Sequence, residues 1–313
     1  MNHAKPRIAG AGICCLDHFV VAPSIPYGGG AHMTDYLAQG GGLVATAIVA
    51  AARLGAKCEL FSLLGDDQTG DQIISELKSE GVSTRGVVRF EGAGSPFSFI
   101  HVDESTGERT IFHRDGAGLD WQPELSDFSS IGQCDALLVD HCYPPLAIAA
   151  AKVAKTNGVP VIADLMLDRS PELMKLVDVL IAPRHLARML GLENDLDAAL
   201  DAIHEMGPSV AVITLGSDGW VCSDVSGKGR GQAFQVDVVD TTGAGDVFHG
   251  AFAYGIARGW NTRRCCDFAS AVAAIKCTKR GGRTGIPALE QALEFISQSS
   301  STSPSASPSA RLE

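Results

Sequence analysis

Short apolar runs alternate with segments of helical periodicity along most of this 313-residue chain. The runs are rich in Val, Ile and Leu and lack polar alternation, which is typical of parallel strands buried on both faces. They cover residues 57–65, 134–140, 159–165, 177–183 and 209–216. Amphipathic segments between them, such as residues 43–54 and 145–158, predict helices. The pattern predicts an α/β fold with a parallel sheet flanked by helices, and with ligands at the carboxyl ends of its strands.

Two segments break this alternation. Residues 17–39 are extended and rich in Gly and Pro, and residues 95–113 are typical of a hairpin that turns at DESTGER. Together they could form a small sheet that covers a site as a lid. The alternative is a pair of surface excursions without a common role.

The charge and cysteine content narrow the classes of partner. With 25 Lys and Arg against 36 Asp and Glu, the formal net charge is -11, so nucleic acids and anionic membranes are excluded as expected partners. The nine cysteines show no CxxC spacing, which is typical of reduced thiols rather than of disulfides or zinc ligands. A small-molecule substrate is the expectation that remains.

Neither end of the sequence contains a candidate catalytic or binding residue. No signal peptide or membrane span is recognisable, so we expect a cytoplasmic protein. Residues 297–313 are rich in Ser and Pro, which predicts a disordered tail, and residues 1–296 then form the folded domain.

The stretch VDVVDTTGAGDVFHGAF (residues 236–252) carries the strongest chemical signal. The apolar spacing after Asp246 predicts a helix that begins near Gly243, Ala244 and Gly245. The first amides of a helix lack internal acceptors, so glycines there can form a cradle for an oxyanion or phosphate. Asp246 could then accept a proton from an attacking hydroxyl, or it could simply cap the helix. The segment lacks the Lys-Ser/Thr ending of a P-loop.

DTTGAGD resembles the signature of the ribokinase-like, or PfkB, carbohydrate kinases. GAGICCLDHFV (residues 10–20), GGLVATAIVAAARLG (residues 41–55) and TLGSDG (residues 214–219) resemble further blocks of that family, so that the likeness covers nearly the whole chain up to the tail. The last block, FASAVAAIKCTKRGGRTGIP, is similar to the branch that includes sulfofructose kinase. The resemblance implies a three-layer α/β/α fold, a β-sheet lid from about residues 14–39 and 95–114, and ATP-dependent phosphorylation of a sugar. It also implies Mg²⁺ as a cofactor and dimerisation through the lid.

Site residues follow from the same resemblance, position by position. It implies that Asp246 is the general base and that Gly243, Ala244 and Gly245 form the anion hole. It implies sugar binding by Asp17, Gly41, Gly42 and Thr46, and ATP binding along Thr214, Gly216, Gly219 and Thr242. Asp17 could instead be a strand-end aspartate, and Gly41 and Gly42 could merely end a strand rather than form a hinge of the lid.

The sequence departs from the family pattern in three places, which limits the residue roles and the substrate that the resemblance implies. Thr46 stands where the family has an Asn that contacts the sugar, so the identity of the sugar does not transfer. The Asn-x-x-Glu motif that helps to place Mg²⁺ is missing, which leaves Asp164 and Asp240 as candidate carboxylates. Main-chain oxygens around Asp240 match a monovalent-cation site of the family, so a K⁺ requirement is an open expectation.

The substrate class stays open between several sugars. The positions that bind a sulfonate in the similar branch match Ala31, His113 and Cys142 here, which argues against a sulfonated sugar. Comparison with 2-keto-3-deoxygluconate kinases makes His113 and Arg114 candidate ligands for a sugar acid. An uncharged ketose or pentose is the default, and a nucleoside is the alternative substrate. The basic residues Lys279, Arg280 and Arg283 could lie beside ATP or in a solvated loop.

Two other classes of protein remain as rivals. Gly10-x-Gly12 after the first strand is the start of a dinucleotide-binding pattern, but Cys15 takes the place of the third glycine and the following chain is extended. A sugar-binding protein without catalysis on the kinase fold is the second rival, because a fold by itself does not prove turnover.

Overall fold

Thirteen strands and nine α-helices form the part of the chain that the structure describes, residues 4–25, 28–104, 109–166 and 170–302 of a computed structural model. The strands are β1 (Arg7–Ala11), β2 (Cys15–Ala22), β3 (Asp35–Gly41), β4 (Lys57–Gly65), β5 (Ser83–Phe90), β6 (Phe97–Asp103), β7 (Arg109–Arg114), β8 (Ala136–Asp140), β9 (Val161–Asp164), β10 (Val179–Pro183), β11 (Val210–Thr214), β12 (Trp220–Asp224) and β13 (Gly227–Gly231). The helices are α1 (Leu43–Arg53), α2 (Gln68–Ser79), α3 (Pro144–Thr156), α4 (Pro171–Met174), α5 (Arg184–Met189), α6 (Leu196–Glu205), α7 (Ala244–Ala257), α8 (Thr262–Cys277) and α9 (Leu289–Thr302).

The large sheet has nine strands in the order β13-β12-β11-β10-β9-β8-β1-β4-β5. Every pairing from β11 to β5 is parallel, and β12 and β13 add an antiparallel edge. Its central strands are buried along almost their whole length, as the continuous apolar runs predict. The predicted mostly parallel sheet is therefore confirmed.

Helices cover both faces of this sheet. One core cluster joins the sheet to α1, α2, α7, α8 and α9, and a second joins it to α3, α4, α5 and α6. Ile48 and Phe252 are fully buried in the first cluster, and Leu146 and Leu200 in the second. The fold is the three-layer α/β/α arrangement.

The second sheet has four strands in the order β3-β2-β6-β7. It is built from the two segments that break the alternation, with β2–β3 and β6–β7 antiparallel and β2–β6 parallel. The DESTGER turn lies largely outside the described residues, which end at 104 and resume at 109. We call this four-stranded sheet the lid.

The chain beyond residue 296 differs in part from the sequence expectation. Helix α9 continues to Thr302, so the first six residues of the expected tail are helical, and residues 303–313 lie outside the described residues. The helix continues because Ser is an acceptable helix residue and the first proline of the tail comes only at position 304. In the described ranges, no helix is long and apolar enough to cross a membrane.

Candidate active site

Helix α7 begins at the carboxyl edge of the large sheet. Gly243 is its N-cap residue and has a φ of 72°, in the left-handed region that a residue with a side chain rarely adopts. A Cβ atom at this position would lie 3.0 Å from the carbonyl oxygen of Gly282. The glycine is therefore required both by the backbone conformation and by the close approach of a second loop.

The first amides of α7 are not equivalent. The amide of Ala244 donates to the carbonyl oxygen of Thr241 over 3.1 Å, which closes the turn before the helix. The amides of Gly245 and Asp246 have no backbone acceptor among the described residues. An anion at this helix start would thus be held by the amides of Gly245 and Asp246, whereas Ala244 shapes the turn.

Asp246 projects from the first turn of α7 and is partly buried. Burial raises the pKa of its carboxyl group well above the usual value, and the nearby carboxylates of Asp164 and Asp17 raise it further, while Arg283 opposes the rise. The described residues offer this carboxylate no hydrogen-bond donor that would stabilise its charge. A capping carboxylate would accept amide hydrogen bonds, and the described residues show none to Asp246, which leaves its carboxylate available to a ligand.

A cavity of about 390 Å³ lies on one side of the α7 start. Thr214, Gly216 and Gly219 line it together with Ala244 and Gly245. Phe248, Val236 and the last turns of α8 complete a largely apolar wall, which suits a flat aromatic base. Thr242 does not line this cavity, but its neighbour Thr241 does.

The lid carries a polar row on the other side of Asp246. In strand register, Asp17 lies opposite Gln39 on β3 and opposite Ser98 on β6, and Ser98 lies opposite His113 on β7. Residues that are directly opposite share a face of a sheet, so these four side chains form one row, which we call the lid row. Gln39 and Ser98 carry no sequence signal of their own and were not predicted.

Asp17 is held close to the start of α1. A Cβ atom on Gly41 would lie 2.0 Å from the Asp17 carboxylate, so only glycine fits beside it. Burial raises the pKa of Asp17, and hydrogen bonds from Cys15 and Ser98 oppose that rise. Gly42 has a φ of 93° and is the N-cap of α1, so the glycine pair both ends β3 and starts the helix.

Arg114 does not join the lid row. It is opposite Phe97, on the outer face of the lid, and its guanidinium lies 5.7 Å from the centre of the Phe97 ring. The pleat of the strand decides this, because neighbouring residues point to opposite faces. The structure therefore corrects the pairing of His113 and Arg114 as joint ligands: His113 keeps its place in the lid row, while Arg114 packs on an aromatic ring.

Arg283 is the largest departure from the sequence interpretation. Its side chain is not solvated, because it is only 2% exposed. It does not line the nucleotide cavity and instead contacts the turn at Gly41. Its Nη2 donates to the carbonyl oxygen of Gly41 over 2.8 Å, and its Nε donates to the hydroxyl of Thr46 over 3.3 Å. Thr46, itself 2% exposed, thus helps to position Arg283 as an acceptor.

Asp140, at the end of β8, holds the first loop in place. Its carboxylate accepts from the amides of Ile13 and Cys142, at 2.8 and 2.9 Å. A Cβ atom at Gly12 would lie 2.3 Å from this carboxylate, which explains the glycine without a pyrophosphate. After β1 the chain enters the lid strand β2 and not a helix, so the dinucleotide-binding interpretation is wrong.

The lid is tied to the segment that precedes α7. Arg109, on β7, donates to the carboxylate of Asp240 over 3.0 Å and to the hydroxyls of Thr241 and Thr242 over 2.6 and 3.2 Å. Arg280 forms an ion pair with Asp35 of β3. Thr242 thus contributes its hydroxyl to the lid contact, and Arg109 is a site residue that the sequence did not single out.

The two candidate carboxylates for Mg²⁺ differ in availability. Asp240 accepts hydrogen bonds from the amides of Thr242 and Gly281, both over 2.8 Å, in addition to the bond from Arg109. Asp164, at the end of β9, is partly exposed and is an electrostatic neighbour of Asp246. Among the described residues, no group of three or more His, Cys, Asp or Glu could hold a metal ion. Of the two carboxylates, Asp164 is the one free to hold a metal through water and phosphate oxygens.

Comparison with known proteins agrees with this geometry. Residues 5–289 match the model of the pfkB family carbohydrate kinases. The chain is 33% identical to ribokinase of Haemophilus influenzae over 278 residues, covering 84% of this chain and 89% of the relative. It is 30% identical to 2-dehydro-3-deoxygluconokinase of Thermoproteus tenax, covering 79% and 82%. The crystal structure of ribokinase from Thermotoga maritima superposes with a TM-score of 0.82 at 27% identity, covering 93% of this chain and 99% of that one.

The family match spans the large sheet, the lid and the helix start at Asp246 together. The sulfofructose kinase branch is not singled out by these matches, whose relatives are ribokinases and a sugar-acid kinase. The chain belongs to the pfkB family of carbohydrate kinases and is a phosphotransferase that uses ATP.

Proposed function

We propose that this protein transfers the γ-phosphate of ATP to a hydroxyl group of a small uncharged sugar, with Asp246 as the general base. The observation that carries the proposal is the position of Asp246, between the apolar cavity at Thr214 and the lid row at Asp17. A nucleotide in the cavity and a sugar at the lid row would both face the same carboxylate and the same free amides.

The chemistry divides between the carboxylate and the helix start. Asp246 accepts the proton of the attacking hydroxyl, and its raised pKa makes it a better proton acceptor than an ordinary carboxylate at a pH where it is still ionised. The amides of Gly245 and Asp246 donate to the oxygens of the transferring phosphoryl group, aided by the positive end of the α7 dipole. The turn Gly243–Ala244 fixes the direction of these amides.

A bound Mg²⁺ would supply positive charge to the phosphate oxygens of ATP during the transfer. The partly exposed carboxylate of Asp164 fits it, since Mg²⁺ keeps several waters and needs only one or two protein carboxylates. Asp164 would hold the ion next to Asp246.

The lid row favours hydroxyl groups over anions. Asp17, Ser98 and His113 offer acceptors and donors that match a polyol, whereas the amide of Gln39 is bonded to Arg283 and Thr284. When ionised, Asp17 and Asp246 repel a sugar carboxylate, and Arg283 is too buried to bind one. A ketose or pentose therefore fits better than a sugar acid or a sulfonated sugar.

The direct test measures ADP release from Mg-ATP with ketohexoses, pentoses, 2-keto-3-deoxy acids, a sulfosugar and nucleosides. We expect release with a pentose or ketose, and a fall of about 10²- to 10⁴-fold in turnover for Asp246→Asn, because only the chemical step loses its base. Release with a nucleoside alone would move the protein to the nucleoside kinases. Sugar binding without release in the wild type would contradict the proposal and favour a silent binding protein, and near-normal turnover of Asp246→Asn would remove its role as base.

Further parts of the proposal concern assembly and location. The outer face of the lid exposes Tyr36, Phe99 and Phe112, with 51%, 46% and 56% of their surface accessible. Such an aromatic patch supports dimerisation through the lid. A cytoplasmic location stays a prediction of the sequence.

A further inference from the structure

Lys276 is a buried lysine close to the catalytic turn. It lies in the last turn of α8 and is 0% exposed. Its Nζ donates over 2.8 Å to the main-chain carbonyl oxygen of Asp240, three residues before Gly243. Burying an ammonium group is costly unless negative groups compensate it, so a lysine here calls for an explanation.

The negative groups that face Nζ come from Asp240 and from the end of α8. The Asp240 carbonyl oxygen is within hydrogen-bond distance, the Asp240 carboxylate attracts the charge, and the carboxyl end of α8 contributes the negative end of its dipole. Burial lowers the pKa of Lys276, and the attraction of Asp240 opposes this change. The ammonium group therefore has its electrostatic compensation in Asp240.

Asp240 in turn fixes the turn before α7. Its amide donates to the carbonyl oxygen of Cys277 over 3.1 Å, and its carboxylate accepts from the amides of Thr242 and Gly281. Lys276 saturates the remaining group, the carbonyl oxygen. Every polar group of Asp240 is thus bound, and the peptide that leads into the turn has one orientation.

We propose that Lys276 is a built-in cation that positions the Asp240–Gly243 turn, so that phosphoryl transfer by this protein needs no K⁺ or other monovalent cation. Lys276 is a positioning residue: it acts on the amides of Gly245 and Asp246 through Asp240 and the turn. The inference rests on the proposed kinase function and gives a negative answer to the open question of a K⁺ requirement at Asp240.

The test exchanges KCl for choline chloride at constant ionic strength. In the wild type we expect the same melting temperature and the same turnover in both salts, because the ammonium group already fills the site. In Lys276→Ala we expect at least about a tenfold lower turnover in choline, since the anion-binding amides lose their support. K⁺ should restore most of that turnover and raise the melting temperature of this variant, because an ion that binds only the folded state stabilises it.

Two further variants separate a cation from mere packing. Lys276→Met keeps the length of the side chain without the charge, so it should be slow in both salts, because its methyl group excludes the ion. Lys57 is an exposed lysine at the start of β4, at the opposite edge of the sheet. The control variant Lys57→Ala should have the turnover and melting temperature of the wild type in both salts.

Several outcomes would overturn the proposal. If the turnover of the wild type rises severalfold in K⁺, the proposal is overturned, even if none of the variants folds. Wild-type turnover of Lys276→Met in choline, or a folded Lys276→Ala that stays slow in K⁺, would reduce Lys276 to a packing residue. A wild type that releases no ADP with any substrate would instead contradict the kinase function, so the two failures are distinguishable.

Discussion

Single residues at this site are defined by what surrounds them more than by their type. Asp246, Asp17 and Asp140 are all aspartates within one electrostatic neighbourhood. Asp140 is fully buried and saturated by amides, whereas Asp246 has no such donors among the described residues. The same carboxylate is thus a structural acceptor at one position and a candidate proton acceptor at another.

The pH dependence of the reaction follows from Asp246. Its pKa is raised, so as pH falls it takes up a proton earlier than an ordinary aspartate does, and the protonated form cannot act as base. We expect kcat/KM to fall toward acid pH with an apparent pKa above the ordinary value of about 3.9. A pH profile at saturating Mg-ATP measures this. The residual activity of Asp246→Asn should lack that acid limb, and a limb in the ordinary aspartate range would contradict the assignment.

Arg283 gives a second prediction at this scale. Arg283→Met removes the donors to Gly41 and Thr46, so the turn beside Asp17 loses its support. Hydrogen bonds from charged groups contribute about 1.5–3 kcal/mol each, so we expect the KM for the sugar to rise at least about tenfold. The KM for ATP should change little, because the nucleotide cavity does not include this residue. Steady-state kinetics with each substrate varied in turn measures both KM values. Arg85→Met, at an exposed arginine, is the control. Equal effects on both KM values would argue against this role of Arg283.

At the scale of elements, the site is assembled from pieces that are far apart in sequence. The lid strand β7 reaches the segment before α7 through Arg109, and β3 reaches the loop after α8 through Gln39, which accepts from the amide of Arg283. Arg53 of α1 donates to the carbonyl oxygens of Arg283 and Ile286. These contacts fasten the lid and α1 to the two loops that frame the start of α7.

Removal of the Arg109 contact should loosen the lid. Arg109→Gln removes the cation that pairs with the Asp240 carboxylate. We therefore expect the free energy of unfolding to fall by about 1–3 kcal/mol. Amide exchange should also become faster in β7 and β6. Urea denaturation and hydrogen exchange measure the two effects. Arg188→Gln, which breaks an exposed ion pair with Glu193, is the matched control and should change stability by less than about 1 kcal/mol. Unchanged exchange in the lid would show that Arg109 does not hold it.

The outer face of the lid carries exposed aromatic residues. Phe99 and Phe112 lie opposite each other on the outer face of the lid, and His18 stacks on Phe99 at 4.9 Å between ring centres. A contiguous patch of exposed aromatic residues is typical of a surface that binds a partner. A second copy of the chain, placed lid to lid, would bury this patch.

The lid-to-lid dimer predicts a change of mass on substitution. Wild-type protein should sediment as a dimer, and Phe112→Glu should sediment as a monomer, because two buried carboxylates would have to lose their water. Val225→Glu replaces an exposed apolar residue at the β12–β13 turn and should leave the dimer intact. Sedimentation velocity at several concentrations gives the masses. A monomeric wild type would contradict the assembly.

Local sequence pattern is sufficient to predict the fold class and to single out Asp246 as the candidate base. Apolar runs such as residues 57–65 can be satisfied only by burial on both faces, so the parallel sheet follows from local pattern, and Lys57–Gly65 is indeed β4. The glycines before Asp246 mark a helix start because backbone conformation is a local property, and Gly243 is that N-cap.

Which side chains meet depends on the long-range packing of the folded chain. Arg283 and Thr46 are 237 positions apart, and Lys276 and Asp240 are 36 apart, so no periodicity links them. Gln39 and Ser98 join Asp17 through strand register, which is set by how β2 pairs with β3 and β6. The burial that raises the pKa of Asp246 and encloses Lys276 likewise arises from packing of distant segments. Local sequence encodes backbone geometry, whereas desolvation and long-range contacts exist only in the folded chain.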